Sequence, residues 1–313
     1  MISTQFAYTS PQDVQEAIET YQQYDGDAFY LSGGTDLLPR VKLGLEKPRA
    51  VIDLKRIDGL TTVEDRGEWI KIGALVTIFD LREDGLISEY FPVLKASLEA
   101  TSCESLQMRA TVGGNLLQNT RCLFYNQSEF WRKSKGFCIK MGGDECNAVP
   151  GAKKCFANYC SDNATALSAL ASQVELIGPG GERRVDLDEI YSGKPEKPFS
   201  IQPGEILTAI FIPRKKTVGD YEKLRLRGAI DYPLLNLAIA YGEGGGKLVV
   251  GAIGPKPYST ELNQLSHEAI DEAVQVVSHD AKPVANTVLD PQYRKRMILT
   301  LAKTVFARLT ERE

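Results

Sequence analysis

Four of the six cysteines in this 313-residue chain lie within one polar segment. Cys122, Cys138, Cys146 and Cys155 span 34 residues, with 15, 7 and 8 residues between neighbours and no CxxC pair. A polar segment of this length could hardly fold unaided, so a bound metal centre would supply its ordering free energy. Four thiolates can ligate a 4Fe–4S cluster or a structural zinc ion, and free thiols are a third interpretation. The wide spacing favours the cluster, because zinc sites usually contain close CxxC pairs.

The composition is that of a globular protein with two or three domains, since 43% of the residues are apolar and 25% are charged. A net charge of −4 argues against general binding to nucleic acid or to anionic membranes. No apolar run is long enough to span a bilayer, and the first residues lack a signal-peptide pattern, so we expect a cytoplasmic protein. Structural disulfides are rare there, which strengthens the metal-ligand interpretation. Cys103 and Cys160 are expected to be ordinary small apolar residues, and the only histidines, His267 and His279, do not suggest a histidine-based catalytic site.

The N-terminal part of the chain predicts a small βαβ unit. Ser10 and Pro11 are typical of the N-cap and first position of a helix. The apolar run at 28–31 predicts a buried strand that ends at a glycine-rich turn. A short amphipathic segment and a second strand at 50–54 follow, which places the end of this unit near residue 60.

Two further regions follow in the sequence. Residues 61–214 alternate strands with helices and contain the cysteine segment, at 120–160. In the third region, 215–313, three antiparallel strands are predicted around the turn at 243–246, followed by helices at about 262–278 and 291–311. The sequence therefore predicts an α+β protein in three pieces, with boundaries at 1–60, 61–214 and 215–313.

Two glycine turns have the character of anion-binding loops. The first is Ser32-Gly33-Gly34-Thr35-Asp36, and the second runs from Thr111 to Asn115 through Gly113-Gly114. Paired glycines allow positive φ and close approach of the backbone, so that successive N–H groups can face an anion. Neither turn fits GxGxxG or a Walker A motif, and each alone is also typical of an ordinary tight turn. Together they favour an elongated, nucleotide-like ligand with a central pyrophosphate.

Seven short motifs occur in a characteristic order along the chain. They are LSGGTDLL at 31–38, IGALVT at 72–77, ATVGGNLL at 110–117, SDNATALSAL at 161–170, GEILTAIFIP at 204–213, YEKLRLRGAIDYPLLNLAIA at 221–240 and YRKR at 293–296. This ordered set resembles the flavin-binding subunits of the xanthine dehydrogenase and carbon monoxide dehydrogenase family of molybdenum hydroxylases. The resemblance implies the two-subdomain FAD-binding fold of these flavoproteins, with an inserted iron–sulfur loop and an α+β C-terminal domain.

The resemblance also implies which residues contact FAD. The first motif would surround the pyrophosphate, the second would hold the rest of the dinucleotide, and three isolated residues would contact its adenosine, ribityl or ring portions. These three sets are Phe29, Tyr30, Leu31, Ser32, Gly33, Gly34, Thr35 and Asp36; then Thr111, Val112, Gly113, Gly114 and Asn115; then Thr101, Asp162 and Leu207. Lys223 would lie near the isoalloxazine ring, where a cation favours the anionic reduced flavin.

The cysteine segment departs from ordinary family members. Asn115 and Asp162 lie 47 positions apart, whereas in most of the family the corresponding motifs are close together. The insertion and the string RCLFYNQSEFW resemble the β subunit of 4-hydroxybenzoyl-CoA reductase, which implies that Cys122, Cys138, Cys146 and Cys155 ligate a 4Fe–4S cluster.

That resemblance implies an electron-transfer role in a larger enzyme. Electrons from reduced ferredoxin would pass through the cluster and FAD to 2Fe–2S clusters on a small subunit. They would then reach a large molybdenum-cofactor subunit, which reductively dehydroxylates 4-hydroxybenzoyl-CoA in anaerobic aromatic catabolism. A dimer of three-subunit units is implied as well. Two alternatives stay open: the FAD subunit of a molybdenum hydroxylase or dehydrogenase acting on another substrate, and a zinc-loop protein that binds partners without redox work.

Overall fold

The computed structural model describes residues 5–311, so residues 1–4 and 312–313 of the two outer predicted pieces lie outside it. A parallel sheet of three strands, in the order β1-β3-β2, begins the fold. Its elements are β1 (Ala7–Thr9), α1 (Val14–Gln23), β2 (Ala28–Leu31), α2 (Leu37–Lys42) and β3 (Ala50–Asp53). The predicted βαβ unit is confirmed as β2, α2 and β3, because β2 and β3 pair in parallel.

Helix α1 begins later than the sequence prediction. Its N-cap is Asp13, not Ser10, and the Asp13 carboxylate accepts a hydrogen bond from the Glu16 amide at 2.8 Å. The carboxylate thus satisfies one of the amide groups that the first helical turn leaves without a partner. From this start, Ala17 and Ile18 lie on the buried face of the helix.

A second sheet contains five antiparallel strands in the order β4-β5-β8-β6-β7. They are β4 (Val63–Asp65), β5 (Trp69–Gly73), β6 (Gln173–Gly178), β7 (Gly181–Asp186) and β8 (Ile206–Pro213). Between β5 and β6 lie α3 (Ile78–Glu83), α4 (Gly85–Tyr90), α5 (Pro92–Ala100), α6 (Glu104–Gln107), α7 (Val112–Leu116), α8 (Glu129–Lys135) and α9 (Asp162–Ala169). Short 3-10 helices occur at Leu54–Arg56, Ile139–Met141 and Leu187–Ile190.

The C-terminal sheet has four antiparallel strands in the order β12-β11-β10-β9. They are β9 (Thr217–Leu224), β10 (Leu235–Gly242), β11 (Gly245–Gly251) and β12 (Tyr258–Leu262), and helices α10 (His267–Asp280) and α11 (Pro291–Thr310) follow. The predicted helix at 262–278 is wrong at its start, because residue 262 ends edge strand β12, which pairs with β11. Helix α10 is capped instead by Ser266, whose hydroxyl accepts a hydrogen bond from the Ala269 amide at 3.2 Å.

Strand β10 is buried on both faces, and this arrangement positions one side of the functional site. Ala238 and Ala240 belong to the apolar core shared with α5 and α9, whereas Leu237 and Ile239 belong to the core shared with α10 and α11. This alternation follows from the two-residue period of a strand. Because α9 packs against this sheet, its first residue, Asp162, lies next to β9. Within residues 5–311, no helix is both long and apolar enough to cross a membrane.

Candidate functional site

A cavity of about 510 Å³ lies where the three sheets meet. Each sheet contributes lining residues, either from a strand or from the loop that follows a strand. The cavity contains every residue predicted to contact FAD except Val112 and Lys223. Those that line it are Phe29, Tyr30, Leu31, Ser32, Gly33, Gly34, Thr35, Asp36, Thr101, Thr111, Gly113, Gly114, Asn115, Asp162 and Leu207. Val112 is fully buried in the core below the second turn, and Lys223 lies behind Asp162.

The two glycine turns contact each other at this cavity. The Thr111 hydroxyl donates to the Ser32 hydroxyl at 3.1 Å, which joins the second turn to the first. A Cβ atom at Gly33 would lie only 1.9 Å from the carbonyl oxygen of Arg109. One at Gly114 would lie 2.8 Å from the Ser32 hydroxyl. The glycines are therefore required by the close approach of the two backbones.

The first turn has the free backbone donors that an anion needs. Among the described residues, the amides of Gly33, Gly34 and Thr35 have no hydrogen-bond acceptor, and all three residues line the cavity. Gly34 has φ of +77°, which is in the left-handed region where glycine carries no steric cost. Successive unpaired amides in such a turn form an anion-binding nest, which fits the pyrophosphate of a dinucleotide.

The Asp36 carboxylate has a structural environment that the sequence did not indicate. It accepts hydrogen bonds from Arg40 at 2.7 Å and from the Asn119 amide at 3.3 Å, and it lies 3.7 Å from the Arg121 guanidinium. Arg40 also pairs with Glu46 at 2.7 Å. These contacts join the first glycine turn to the beginning of the cysteine segment.

Asp162 lies in a buried polar network at the opposite wall. One of its oxygens accepts hydrogen bonds from the Tyr221 hydroxyl at 2.5 Å and from the Lys223 ammonium at 3.1 Å. The Lys223 and Asp162 side chains are 2% and 6% exposed, so the ion pair is almost completely shielded from water. Burial raises the pKa of Asp162, and the Lys223 ammonium opposes this shift. Lys223 itself does not line the cavity, and its positive charge reaches the cavity only through the paired Asp162 carboxylate.

The four clustered cysteines line a second and much smaller cavity of about 10 Å³, called here the cysteine cavity. Cys122, Cys138, Cys146 and Cys155 all line it, together with Phe124, Tyr125, Lys140 and Phe156 among others. Cys103 and Cys160 do not line it, and Cys160 is buried beside the carbonyl of Asn158. Within residues 5–311, no group of three or more His, Cys, Asp or Glu side chains has a geometry that could hold a single metal ion.

The chemistry of the cysteine cavity fits a thiolate-ligated centre. Burial raises the pKa of Cys155 to about 11, and it also raises the pKa of Cys122. Such thiols keep their protons at neutral pH unless a metal centre replaces them, because metal binding requires the thiolate. Four sulfur donors around one cavity are the ligand type of an iron–sulfur cluster.

The cysteine segment is fixed to the rest of the molecule at several points. The Arg132 side chain is buried and donates to the carbonyls of Leu43 and Gly44 at 3.1 and 3.2 Å. Asn158 and Asn286 exchange side-chain hydrogen bonds of 3.1 and 3.0 Å, which connect the segment to the region before α11. The segment is therefore an ordered part of the fold and not a free insertion.

The larger cavity has the donors and the shape that a dinucleotide needs, and comparison with known proteins shows the family. The family model described as "FAD binding domain in molybdopterin dehydrogenase" matches residues 4–215. The chain therefore belongs to the FAD-binding subunits of the molybdenum hydroxylases, and its reaction class is that of an oxidoreductase subunit.

Individual relatives match over nearly the whole chain. The aldehyde oxidoreductase FAD-binding subunit PaoB of Escherichia coli (strain K12) is 32% identical over 313 residues, which covers 95% of this chain and 96% of that protein. The carbon monoxide dehydrogenase medium chain of Afipia carboxidovorans is 26% identical over 310 residues, covering 95% and 94%. The solved structure of reconstituted CO dehydrogenase from Oligotropha carboxidovorans superposes with a TM-score of 0.80 at 23% identity, covering 100% of both chains. The predicted flavoprotein fold is thereby confirmed.

Proposed function

We propose that this chain is the FAD and 4Fe–4S electron-transfer subunit of a molybdenum enzyme. One observation supports this most strongly: all four clustered cysteines line one cavity, and the chain leads directly into it from the larger cavity. Asn119 lines the larger cavity, and Cys122, three positions later, lines the cysteine cavity. Two redox cofactors bound at these places would be close neighbours.

Each cavity would have a defined set of holding residues. The amides of Gly33, Gly34 and Thr35 would bind the pyrophosphate of FAD, and Thr111, Asn115 and Asp162 would provide polar contacts along the rest of the cavity. Cys122, Cys138, Cys146 and Cys155 would ligate the cluster. FAD, when bound, exchanges electrons singly or in pairs, and a cluster exchanges them singly. We also propose FAD-binding subdomains at 1–60 and 61–214, with the cysteine loop at 120–160, and a C-terminal domain at 215–313.

The proposed complex contains two further subunits. Several relatives are named as medium chains or medium subunits, which supports a large molybdopterin subunit and a small 2Fe–2S subunit as partners of this chain. We propose a dimer of such heterotrimers, in the cytoplasm, with ferredoxin as the external one-electron donor. The net charge of −4 gives no support for nucleic acid as a further partner.

Two reactions are candidates for the complex. The cysteine insertion, through its resemblance to the β subunit of 4-hydroxybenzoyl-CoA reductase, supports reductive dehydroxylation of 4-hydroxybenzoyl-CoA to benzoyl-CoA. The 32% identity to an aldehyde oxidoreductase subunit supports aldehyde oxidation instead. Assays of the purified complex distinguish them: one measures benzoyl-CoA formed with reduced ferredoxin, and the other measures acceptor reduction driven by aldehydes. Activity in neither assay would leave a different substrate of the same enzyme class.

A cysteine variant pair tests the electron-transfer proposal independently of the substrate. Cys146→Ser should lower iron and acid-labile sulfide in the purified complex while FAD stays bound, because Cys146 lines only the cysteine cavity. The control is Cys103→Ser, whose thiol lies outside both cavities. Equal iron and sulfide in the two variants would refute the ligand assignment, and zinc lost from Cys146→Ser in place of iron would favour the structural zinc loop.

A further inference from the structure

A lysine lies in the wall between the two cavities. Lys140 lines the cysteine cavity. Its ammonium donates to the Asn119 side-chain oxygen at 2.6 Å, and Asn119 lines the larger cavity. It also donates to the Pro195 carbonyl at 2.9 Å and to the Thr120 hydroxyl. The ammonium group is therefore held in one place, beside the four thiols and next to the larger cavity.

The positive charge of Lys140 has no carboxylate partner among the described residues. Its hydrogen-bond acceptors are amide, carbonyl and hydroxyl oxygens, all of them neutral. The ammonium also lies 4.6 Å from the centre of the Tyr125 ring, another residue of the cysteine cavity. The Glu46 carboxylate acts electrostatically on this ammonium, but it is itself paired with Arg40 at 2.7 Å, which reduces its opposition to the field of Lys140.

Lys133 and Lys153, two of the other lysines of the cysteine segment, differ from Lys140 in both respects. Lys153 pairs with Glu145 at 3.0 Å and its side chain is 69% exposed. Lys133 pairs with Glu129 at 3.0 Å and is 62% exposed. Solvent and a paired carboxylate both weaken the field of such a charge. The segment thus contains an internal comparison between one enclosed, unpaired lysine and two exposed, paired ones.

We propose that Lys140 is a positioning and potential-setting residue: its fixed positive charge raises the reduction potential of the cluster held by the four cysteines. This inference rests on the proposed function, since it requires a cluster at the cysteine cavity. An iron–sulfur cluster becomes more negative when it accepts an electron, and its potential depends on nearby charge and hydrogen bonds. A neighbouring cation in a poorly solvated site stabilises the reduced form more than the oxidised form.

The test is a redox titration of the cluster, followed by EPR, in the anaerobically purified complex. Lys140→Gln removes the charge but keeps a side chain that can hydrogen-bond to Asn119 or Thr120. Lys140→Arg keeps the charge, and Lys153→Gln removes an equal charge from an exposed site of the same segment. We expect Lys140→Gln to weaken one-electron reduction of the cluster at least tenfold, which corresponds to a potential lower by 59 mV or more. Lys140→Arg should keep most of the wild-type potential, and Lys153→Gln should keep all of it.

Each outcome decides the proposal. An unchanged potential in Lys140→Gln, or an equal decrease in Lys140→Arg, would overturn it. If Lys140→Gln assembles no cluster, a cluster of near wild-type potential in Lys140→Arg would support the proposal, because the charge is what that variant retains. Loss of iron from both variants would overturn the proposal in favour of a packing role for the side chain. Absence of iron and sulfide from the wild-type complex would instead refute the proposed function, so the two failures are distinguishable.

Discussion

Substitution of Gly33 by alanine tests the contact between the two glycine turns. The added Cβ would lie 1.9 Å from the Arg109 carbonyl oxygen, whereas real Cβ contacts shorter than 3.0 Å are essentially never seen. The turns must therefore separate by about 1 Å, which also strains the 3.1 Å hydrogen bond between Thr111 and Ser32. Overpacking of this kind costs about 1–3 kcal/mol. If the whole cost appears in ligand binding, FAD affinity falls by roughly 5- to 150-fold.

The assay is FAD titration of the deflavinated protein, followed by flavin fluorescence, together with a thermal unfolding curve. Gly85→Ala is the matched control, because a Cβ at Gly85 meets nothing within 4 Å and the residue begins helix α4. We expect the control to bind FAD as the wild type does and to be equally or slightly more stable, by up to about 1 kcal/mol. Wild-type FAD affinity and unfolding temperature in Gly33→Ala would refute the inferred role of the close contact.

Three further substitutions give separate tests. Lys223→Met should lower the free energy of unfolding by about 3–5 kcal/mol, since it leaves the buried Asp162 carboxylate without its cation. In chemical denaturation, the double variant that adds Asp162→Asn should recover much of this loss. Glu205→Gln should cost only about 1 kcal/mol at pH 7, because its partner Arg183 is 39% exposed. The Arg183 guanidinium lowers the pKa of Glu205 in the folded state, so this stabilisation exists above the unfolded pKa and is lost as the pH falls. The stabilities of wild type and Glu205→Gln should therefore begin to converge as the pH falls below about 4.3, the unfolded pKa of glutamate, and a difference that does not decrease below that pH would contradict this. Arg132→Met should cause faster amide hydrogen exchange in the cysteine segment while exchange in the C-terminal sheet stays unchanged. Equal protection of the segment would show that the contacts of Arg132 with Leu43 and Gly44 do not hold it.

The parts of the fold that local sequence signals specify were predictable. The paired glycines at 33–34 and 113–114 mark the turns that line the larger cavity, because close backbone approach and positive φ restrict those positions to glycine. The four cysteines were also predictable as one group, since their chemistry implies convergence although their spacing does not show it. In both cases the residue type itself carries the information.

Features that depend on contacts between distant segments were not predictable. Strand β12 was not predicted, and its last residue was placed in a helix, because Tyr258–Leu262 becomes a strand only by pairing with β11. Lys140 was missed since a lysine in a polar segment is usually a solvated charge, and only its contacts with Asn119 and Pro195 distinguish it. The ion pair between Asp36 and Arg121 was also not predictable, because the two residues lie 85 positions apart in the sequence.

The most direct test of the central claim is anaerobic analysis of iron, acid-labile sulfide, zinc and flavin in the wild-type complex, with metals assigned to this subunit after separation. We expect one FAD with about four iron and four sulfide for each copy of this chain, and a cubane EPR signal after dithionite reduction. FAD with no iron on this subunit, or with one zinc ion in its place, would contradict the claim that the cysteine cavity is an electron-transfer site.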